Sequence, residues 1–250
     1  MPQNTEKPVF WNEEHRIDAH DVDYQGLLRP SVMLRFIQDA AGHAHHCLGL
    51  SLETLRAQNK AYILSKVSMK LYEAPSAYEH VRAQTWITPV KGFSFVRYGR
   101  IWRGDEIIGE MSSVWALTDI SDPENRRLLR GDSVELPFGT GEALELGFPP
   151  RLRIPPQLTL SLLGEHTVRY VDCDQNRHMN NTVYPDLFRG FADVPDGMRV
   201  REFEISYLSE APMGQTLAIH GGWDGDNLYF RSIRPDGKTN AECRMVFAQV

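Results

Sequence analysis

The chain has 250 residues, enough for one large domain or two small ones with real cores. Hydrophobic residues make up 42% and charged residues 24%, and no apolar run approaches the roughly 20 residues of a membrane-spanning helix, so stable membrane insertion is not expected. A formal net charge of −6 argues against nucleic acid as a partner, and an acidic partner requires a local basic patch.

The N-terminus, MPQNTEKPVFWNEE, is polar and acidic, without the apolar core of a signal peptide or the Arg-rich pattern of a transit peptide. Cys47, Cys173 and Cys243 are too few and too far apart for a disulfide framework or a zinc cluster, and a cytoplasmic location is the expectation. After a short strand and an Asp-rich loop ending at Asp23, the spacing predicts a helix from Pro30 to Leu48, with Pro30 suited to its first position and Gly49 to its end. Met33, Phe36 or Ile37, Ala40, Ala44 and Leu48 recur at helical spacing, and Ala40, Ala41, Gly42 and Ala44 keep that face narrow. His43, His45, His46 and Cys47 invite a metal reading, but no second ligand pair accompanies them; no metal and no cofactor is expected.

Strands are predicted at Tyr62 to Tyr72, Glu79 to Pro89, Phe93 to Arg103 and Glu106 to Asp119, with Gly104-Asp105 as a hairpin signal. Gly131 to Leu163, carrying Pro137, Pro149, Pro150, Pro155 and Pro156, reads as an irregular linker. A second helix near Thr182 to Ala192 follows, then strands at Arg199 to Leu208, Thr216 to Trp223, Leu228 to Pro235 and Asn240 to Ala248.

The two halves repeat one another. EEHRIDAHDVD, ending at Asp23, lies on GEHTVRYVDCD, ending at Asp174, without a gap: Glu14, His15, Asp21 and Asp23 match Glu165, His166, Asp172 and Asp174, Ile17 faces Val168, and Val32 falls on Val183. Glu73-Ala74-Pro75 recurs as Glu210-Ala211-Pro212. The expectation is an α+β chain of two tandem hot-dog domains, each an antiparallel sheet wrapped around a long helix, fused as an internal pseudo-dimer. Residues 1–138 form the first domain, 139–163 the linker and 164–250 the second. Such a fusion removes the need for a partner subunit without forbidding a homodimer.

Chemistry concentrates in Asp172-Cys-Asp-Gln-Asn-Arg-His-Met-Asn-Asn181. Asp174, Asn176 and His178 alternate, so an extended backbone turns all three side chains to one side. A helix begins directly afterwards, with Asn181 or Thr182 able to cap it and its N-terminus placed to hold a developing negative charge. This segment resembles the acyl-acyl-carrier-protein thioesterase family, whose Asp-x-Asn-x-His pattern and following Asn-Asn pair are matched by Asp174, Asn176, His178, Asn180 and Asn181. Glu210 in YLSEAP occupies the place of the family's later catalytic Glu, and SSVWALTD followed by Arg126-Arg127-Leu128 resembles the end of its first domain.

The resemblance implies hydrolysis of fatty acyl-acyl-carrier-protein thioesters to free acid, ending chain elongation. In that reaction His178 and Glu210 handle protons and water, Asn176 positions water or carbonyl, and Asp174 orients the group or attacks directly. The same hydrolysis on acyl-coenzyme A is a close alternative; a hot-dog hydroxyacyl dehydratase and a non-catalytic acyl-binding module are more distant ones. Many relatives carry Cys directly after the Glu, where this chain has Ala211; Cys173 reads as a small buried residue rather than a nucleophile.

In the first half Gln25 and Leu27 stand opposite Asn176 and His178, while Asp23 and Glu73 persist, so this half lacks a proton-transfer group. The resemblance implies that it binds the acyl chain, with Met33, Phe36, Ile37, Ala40, Ala41, Phe93 and Phe95 as candidate lining. The partner that the resemblance implies is an acyl-carrier protein, itself acidic, with a phosphopantetheine-linked acyl chain. Arg126, Arg127 and Arg130 are candidates for docking it, with Arg97, Arg100 and Arg103 as a second set, in which Arg97 and Arg103 share a strand face.

Overall fold

The computed structural model describes residues 8–122, 125–131, 136, 139–147 and 149–250, so the N-terminal heptapeptide and Pro137 lie outside the described residues. The first half runs β1 (Trp11–Arg16), α1 (Pro30–Cys47), α2 (Leu52–Ala57), β2 (Lys60–Leu71), β3 (His80–Ile87), β4 (Ser94–Arg103), β5 (Glu106–Asp119) and the short β6 (Arg127–Leu129). The second runs β7 (Ser161–Thr167), a 3-10 turn (Tyr170–Asp172), α3 (Tyr184–Gly190), β8 (Met198–Tyr207), β9 (Thr216–Asp224), β10 (Asn227–Ile233) and β11 (Thr239–Gln249). Among the described residues, no helix is long and apolar enough to cross a membrane.

An 11-stranded antiparallel sheet follows the order β1-β3-β4-β5-β2-β8-β11-β10-β9-β7, with β6 off this path on β5. Read inward from each end, the two halves have the same strand order and meet at β2 and β8, where Lys66 to Lys70 pair with Ser206 to Glu202. Val67 and Met69 of β2 stand opposite Ile205 and Phe203 of β8, all four buried, so one apolar core is continuous across the junction.

Helix α1 keeps its expected bounds almost to the residue. Gly49, at φ 82°, ends it in the left-handed conformation that costs glycine little. The apolar stripe from Val32 to Ala44 is buried, with α1 lying against β1, β3 and β4. Gly99 of β4 permits this approach: a Cβ there would lie 2.5 Å from Cγ2 of Ile37. Helix α3 is shorter than the span Thr182 to Ala192 that the sequence predicts. Asn180 Oδ1 accepts from the N–H and hydroxyl of Thr182 at 2.9 and 3.0 Å, holding residues 181–183 in turns. Val194 precedes Pro195, which disfavours helix beyond. The six residues of α2 escaped the sequence reading because one turn and a half shows no periodicity; Ser51 Oγ caps it by accepting from the Thr54 N–H at 3.2 Å.

The segment between the halves crosses the outer face of the sheet. Leu144 packs on Trp86 and Tyr98, the Trp86 indole donates to the Glu142 carbonyl at 2.8 Å, and the Leu152 N–H donates to Ser206 Oγ of β8 at 3.3 Å.

Gly99→Ala is expected to destabilise the fold by about 1–3 kcal/mol through overpacking against Ile37. In a denaturant-melt double-mutant cycle, Ile37→Ala should absorb part of that loss, whereas strict additivity would show that the helix–strand contact is not what Gly99 serves.

Candidate active site

After β7 the chain enters the 3-10 turn, whose Asp172 carboxylate accepts from the Arg169 N–H at 2.7 Å and lies 3.0 Å from His166 Nε2. The next residues form a tight turn and not the extended run that the alternation suggests. Asp174 N–H donates to the His178 carbonyl at 3.1 Å, Arg177 N–H to the Asp174 carbonyl at 3.0 Å, and Arg177 sits at φ 64°. The Asp174 side chain drives this local fold by accepting from the Asn176 N–H at 2.8 Å, an Asx turn.

The first half builds the same loop. Asp23 N–H donates to the Leu27 carbonyl at 2.8 Å, Gly26 N–H to the Asp23 carbonyl at 3.0 Å, and Asp23 Oδ1 accepts from the Gln25 N–H at 2.8 Å. Each loop then pairs with the segment that follows β2 or β8. Met179 N–H donates to the Ala211 carbonyl and Leu28 N–H to that of Pro75, while His178 pairs with Pro212 and Leu27 with Ser76. Pro75 therefore stands opposite Ala211, and Ala74 opposite Glu210. The Glu-Ala-Pro echo is offset by one residue, and Glu73 is not the counterpart of Glu210; its carboxylate pairs with Arg103.

Asp174, Asn176 and His178 thus share one loop, and the pairing of His178 with Pro212 brings Glu210 beside it. His178 Nδ1 lies 3.9 Å from Asp174 Oδ1. Asn176 Nδ2 donates to Asp174 Oδ2 at 3.1 Å, and its Oδ1 accepts from the Arg56 guanidinium of α2. Arginine only donates, so Arg56 fixes which way round the Asn176 amide sits. Arg126, in the segment after β5, donates to Glu210 Oε1 at 2.6 Å. Both arginines come from the first half. Arg56 gave no signal in the sequence, and Arg126, expected in a docking patch, is committed to Glu210 instead.

Burial pushes the Glu210 carboxyl up. The hydrogen bond and charge of Arg126, with the charges of His178 and Arg234, outweigh it and hold the group below the ordinary value. The Cys173 thiol is raised, by desolvation first and then by the negative charges of Asp172 and Asp174. It also packs on the core. Both facts speak against a thiolate nucleophile. The expected helix N-terminus is set back: α3 starts at Tyr184 behind Val183, with no side-chain cap, and the N–H groups of Asn180, Thr182 and Val183 are already taken.

One residue before Arg56, Leu55 lines a cavity of about 420 Å³ between the end of α1, α2 and strands β2, β4 and β5. Ala41, Phe95, Ile87 and Trp115 also wall it. Of the expected lining, only Ala41 and Phe95 reach it. Met33, Phe36, Ile37 and Ala40 are fully packed in the core, because α1 lies too close to the sheet there to leave space. Phe93 is exposed, with the Arg130 guanidinium over its ring.

Arg127, on β6, and Arg130, just after it, are exposed. In the second basic set Arg97 is buried in the cavity wall, Arg100 pairs with Glu110, and Arg103 pairs with Glu73, Glu79 and Glu106, so these three form no free basic surface. His43 is tied to Glu13 and His45 to Arg97, on different sides of α1.

Residues 8–131 match the family model of the acyl-ACP thioesterase N-terminal domain, and residues 158–248 that of the C-terminal domain. No curated protein sequence matches. Among solved structures, an acyl-ACP thioesterase from Bacteroides thetaiotaomicron is similar, with a TM-score of 0.85 and 21% identity over 96% of this chain and 98% of that one. The 12:0-ACP thioesterase from Umbellularia californica gives a TM-score of 0.80 and 16% identity, again over 96% and 98%.

Arg126→Ala should let the Glu210 carboxyl titrate at higher pH, read by carboxyl carbon NMR. The sign follows from the depressed value: ionised Glu210 is favoured in the fold above the ordinary carboxylate range, and that advantage is lost as pH falls through the folded value. An unchanged titration would show that Arg126 does not set the charge of Glu210.

Proposed function

Since the chain belongs to the acyl-ACP thioesterase family, a family of thioester hydrolases acting on fatty acyl-acyl-carrier protein, we propose that Asp174, Asn176, His178 and Glu210 carry out the hydrolysis. The observation that supports this most is the convergence of these four polar groups, with Glu210 kept ionised by Arg126 and the Asn176 amide oriented by Arg56. An ionised Glu210 beside His178 is suited to accept a proton from attacking water, and His178 to pass one to the leaving thiolate. Asn176 and Asp174 orient the reacting groups. Asp174 already accepts from Asn176 through both its oxygens, which favours orientation over direct attack.

The acyl chain lies in the cavity of the first half, residues 1–138, with α2 joining cavity to site through the adjacent Leu55 and Arg56. Residues 164–250 hold the reacting groups. The acidic carrier protein docks through Arg127 and Arg130, which are exposed, with Arg126 serving the site rather than the docking face. The reaction belongs in the cytoplasm, in keeping with three free cysteines, and the chain acts with or without a second copy.

Free-thiol release from acyl-acyl-carrier protein should fall by roughly 10²–10⁴ in His178→Ala and in Glu210→Gln, each checked for an unchanged fold. Cys173→Ala should keep wild-type turnover, and loss of turnover there would restore a thiol mechanism. The same chain offered on coenzyme A and on carrier protein should be turned over faster on the carrier.

A further inference from the structure

The cavity and the reacting groups meet at one short helix. Resting on the reading that this cavity takes the acyl chain, we propose that Arg56 is a positioning residue that makes the rate at the thioester depend on the far part of that chain.

Leu50, Ser51, Leu52, Glu53 and Leu55 all line the cavity, so α2 and the residues leading into it form one of its walls. Six residues are too few to hold a helix together without tertiary packing. Yet only Leu55 of the six is buried, and α2 packs chiefly on β2. Gly49 at φ 82° and Asn59 at φ 54° bound the segment with left-handed turns. The space of about 420 Å³ beside α2 lacks the apolar contacts that a chain filling it would supply to Leu50, Leu52 and Leu55. An element with so little buried surface is placed by what packs against it.

The next residue, Arg56, is exposed and donates to Asn176 Oδ1. Asn176 is exposed as well. Among the described residues, the other side-chain partner of its amide is Asp174, whose Oδ2 accepts from Nδ2 at 3.1 Å. Nδ2 keeps a second hydrogen to give to water or to the thioester carbonyl. A guanidinium on Oδ1 strengthens that donor, because hydrogen bonds in a chain polarise one another. How firmly Asn176 is held therefore depends on α2, and the placement of α2 depends on what fills the cavity. Binding energy from a remote part of a substrate is used in this way at a reacting centre, so shortened substrates lose kcat as well as affinity.

The test is the single-turnover rate and KM of thiol release from carrier protein loaded with plain chains of increasing length. In the wild type the rate at saturating substrate is expected to rise about tenfold once the chain reaches α2. In Arg56→Ala that rise should disappear while KM keeps its dependence on length, and Arg56→Lys should recover part of it. Because Arg56 is exposed, both variants should melt as the wild type does. A wild-type rate indifferent to chain length, or a loss in Arg56→Ala by the same factor at every length, would each overturn the proposal. Release from none of the chains would overturn the thioesterase reading itself. NMR then still decides the relay: a long free fatty acid should shift the Leu55 methyl signals and, only with Arg56 present, the Asn176 side-chain amide. A short acid should move neither. An Asn176 amide that stays still with the long acid, or moves as much in Arg56→Ala, would overturn the proposal.

Discussion

The β2–β8 ladder is the contact on which the remaining geometry depends. Without it each half would end in an open strand edge, with buried Met69 and Phe203 exposed at the break. With it, α1 and α3 meet on one side of a shared sheet. Helix α1 has Arg29 at its N-cap and no side-chain cap of its own. Asp186 of α3 supplies the anion instead, accepting from the Ser31 hydroxyl at 2.6 Å and from the Ser31 N–H at 3.3 Å. Burial raises the Asp186 carboxyl, and Ser31 and Arg29 partly offset that rise. The same junction lays α2 and the segment after β5 over the loop of the second half, which is how Arg56 and Arg126 reach it.

The two Asp loops have almost the same backbone and differ in their side chains. In the first half the left-handed turn position is Gly26, at φ 79°, where the conformation is cheap. In the second it is Arg177, at φ 64°, where a side chain makes it cost about 1–2 kcal/mol. The strain therefore falls in the loop that bears Asn176 and His178, while the relaxed copy carries Gln25 and Leu27. The offset of Glu210 against Ala74 adds a second divergence: the first half has neither a histidine nor an acid at the matching places. Its loop serves as structure, and Gln25 holds the second half instead, accepting from the Gly197 N–H and donating to the Met198 carbonyl.

Much of the fold was legible because its signals are local. The apolar spacing of α1 with Pro30 and Gly49 at its ends, and the hairpin turn at Gly104-Asp105, each act within a few residues. Helix α3 came out shorter because Asn180 captures Thr182, a local competition that the apolar pattern does not register. The cavity lining was misjudged for a different reason. Periodicity finds the face of α1 that is buried, but packing density, set by Gly99 against Ile37, decides where that face leaves a void.

The sequence by itself determined the repeated order of elements in the two halves and the Asp-x-Asn-x-His motif that follows the second Asp-rich loop, since strand alternation, helix ends and motif spacing need only near neighbours. Only the tertiary structure decided what surrounds that loop. Arg56 lies 120 residues from Asn176, and Arg126 lies 84 from Glu210. The cavity wall gathers Gln38, His45, Tyr62 and Arg97 from α1, β2 and β4. No spacing rule links such positions, because their meeting depends on how two half-sheets are joined and how closely one helix lies upon them.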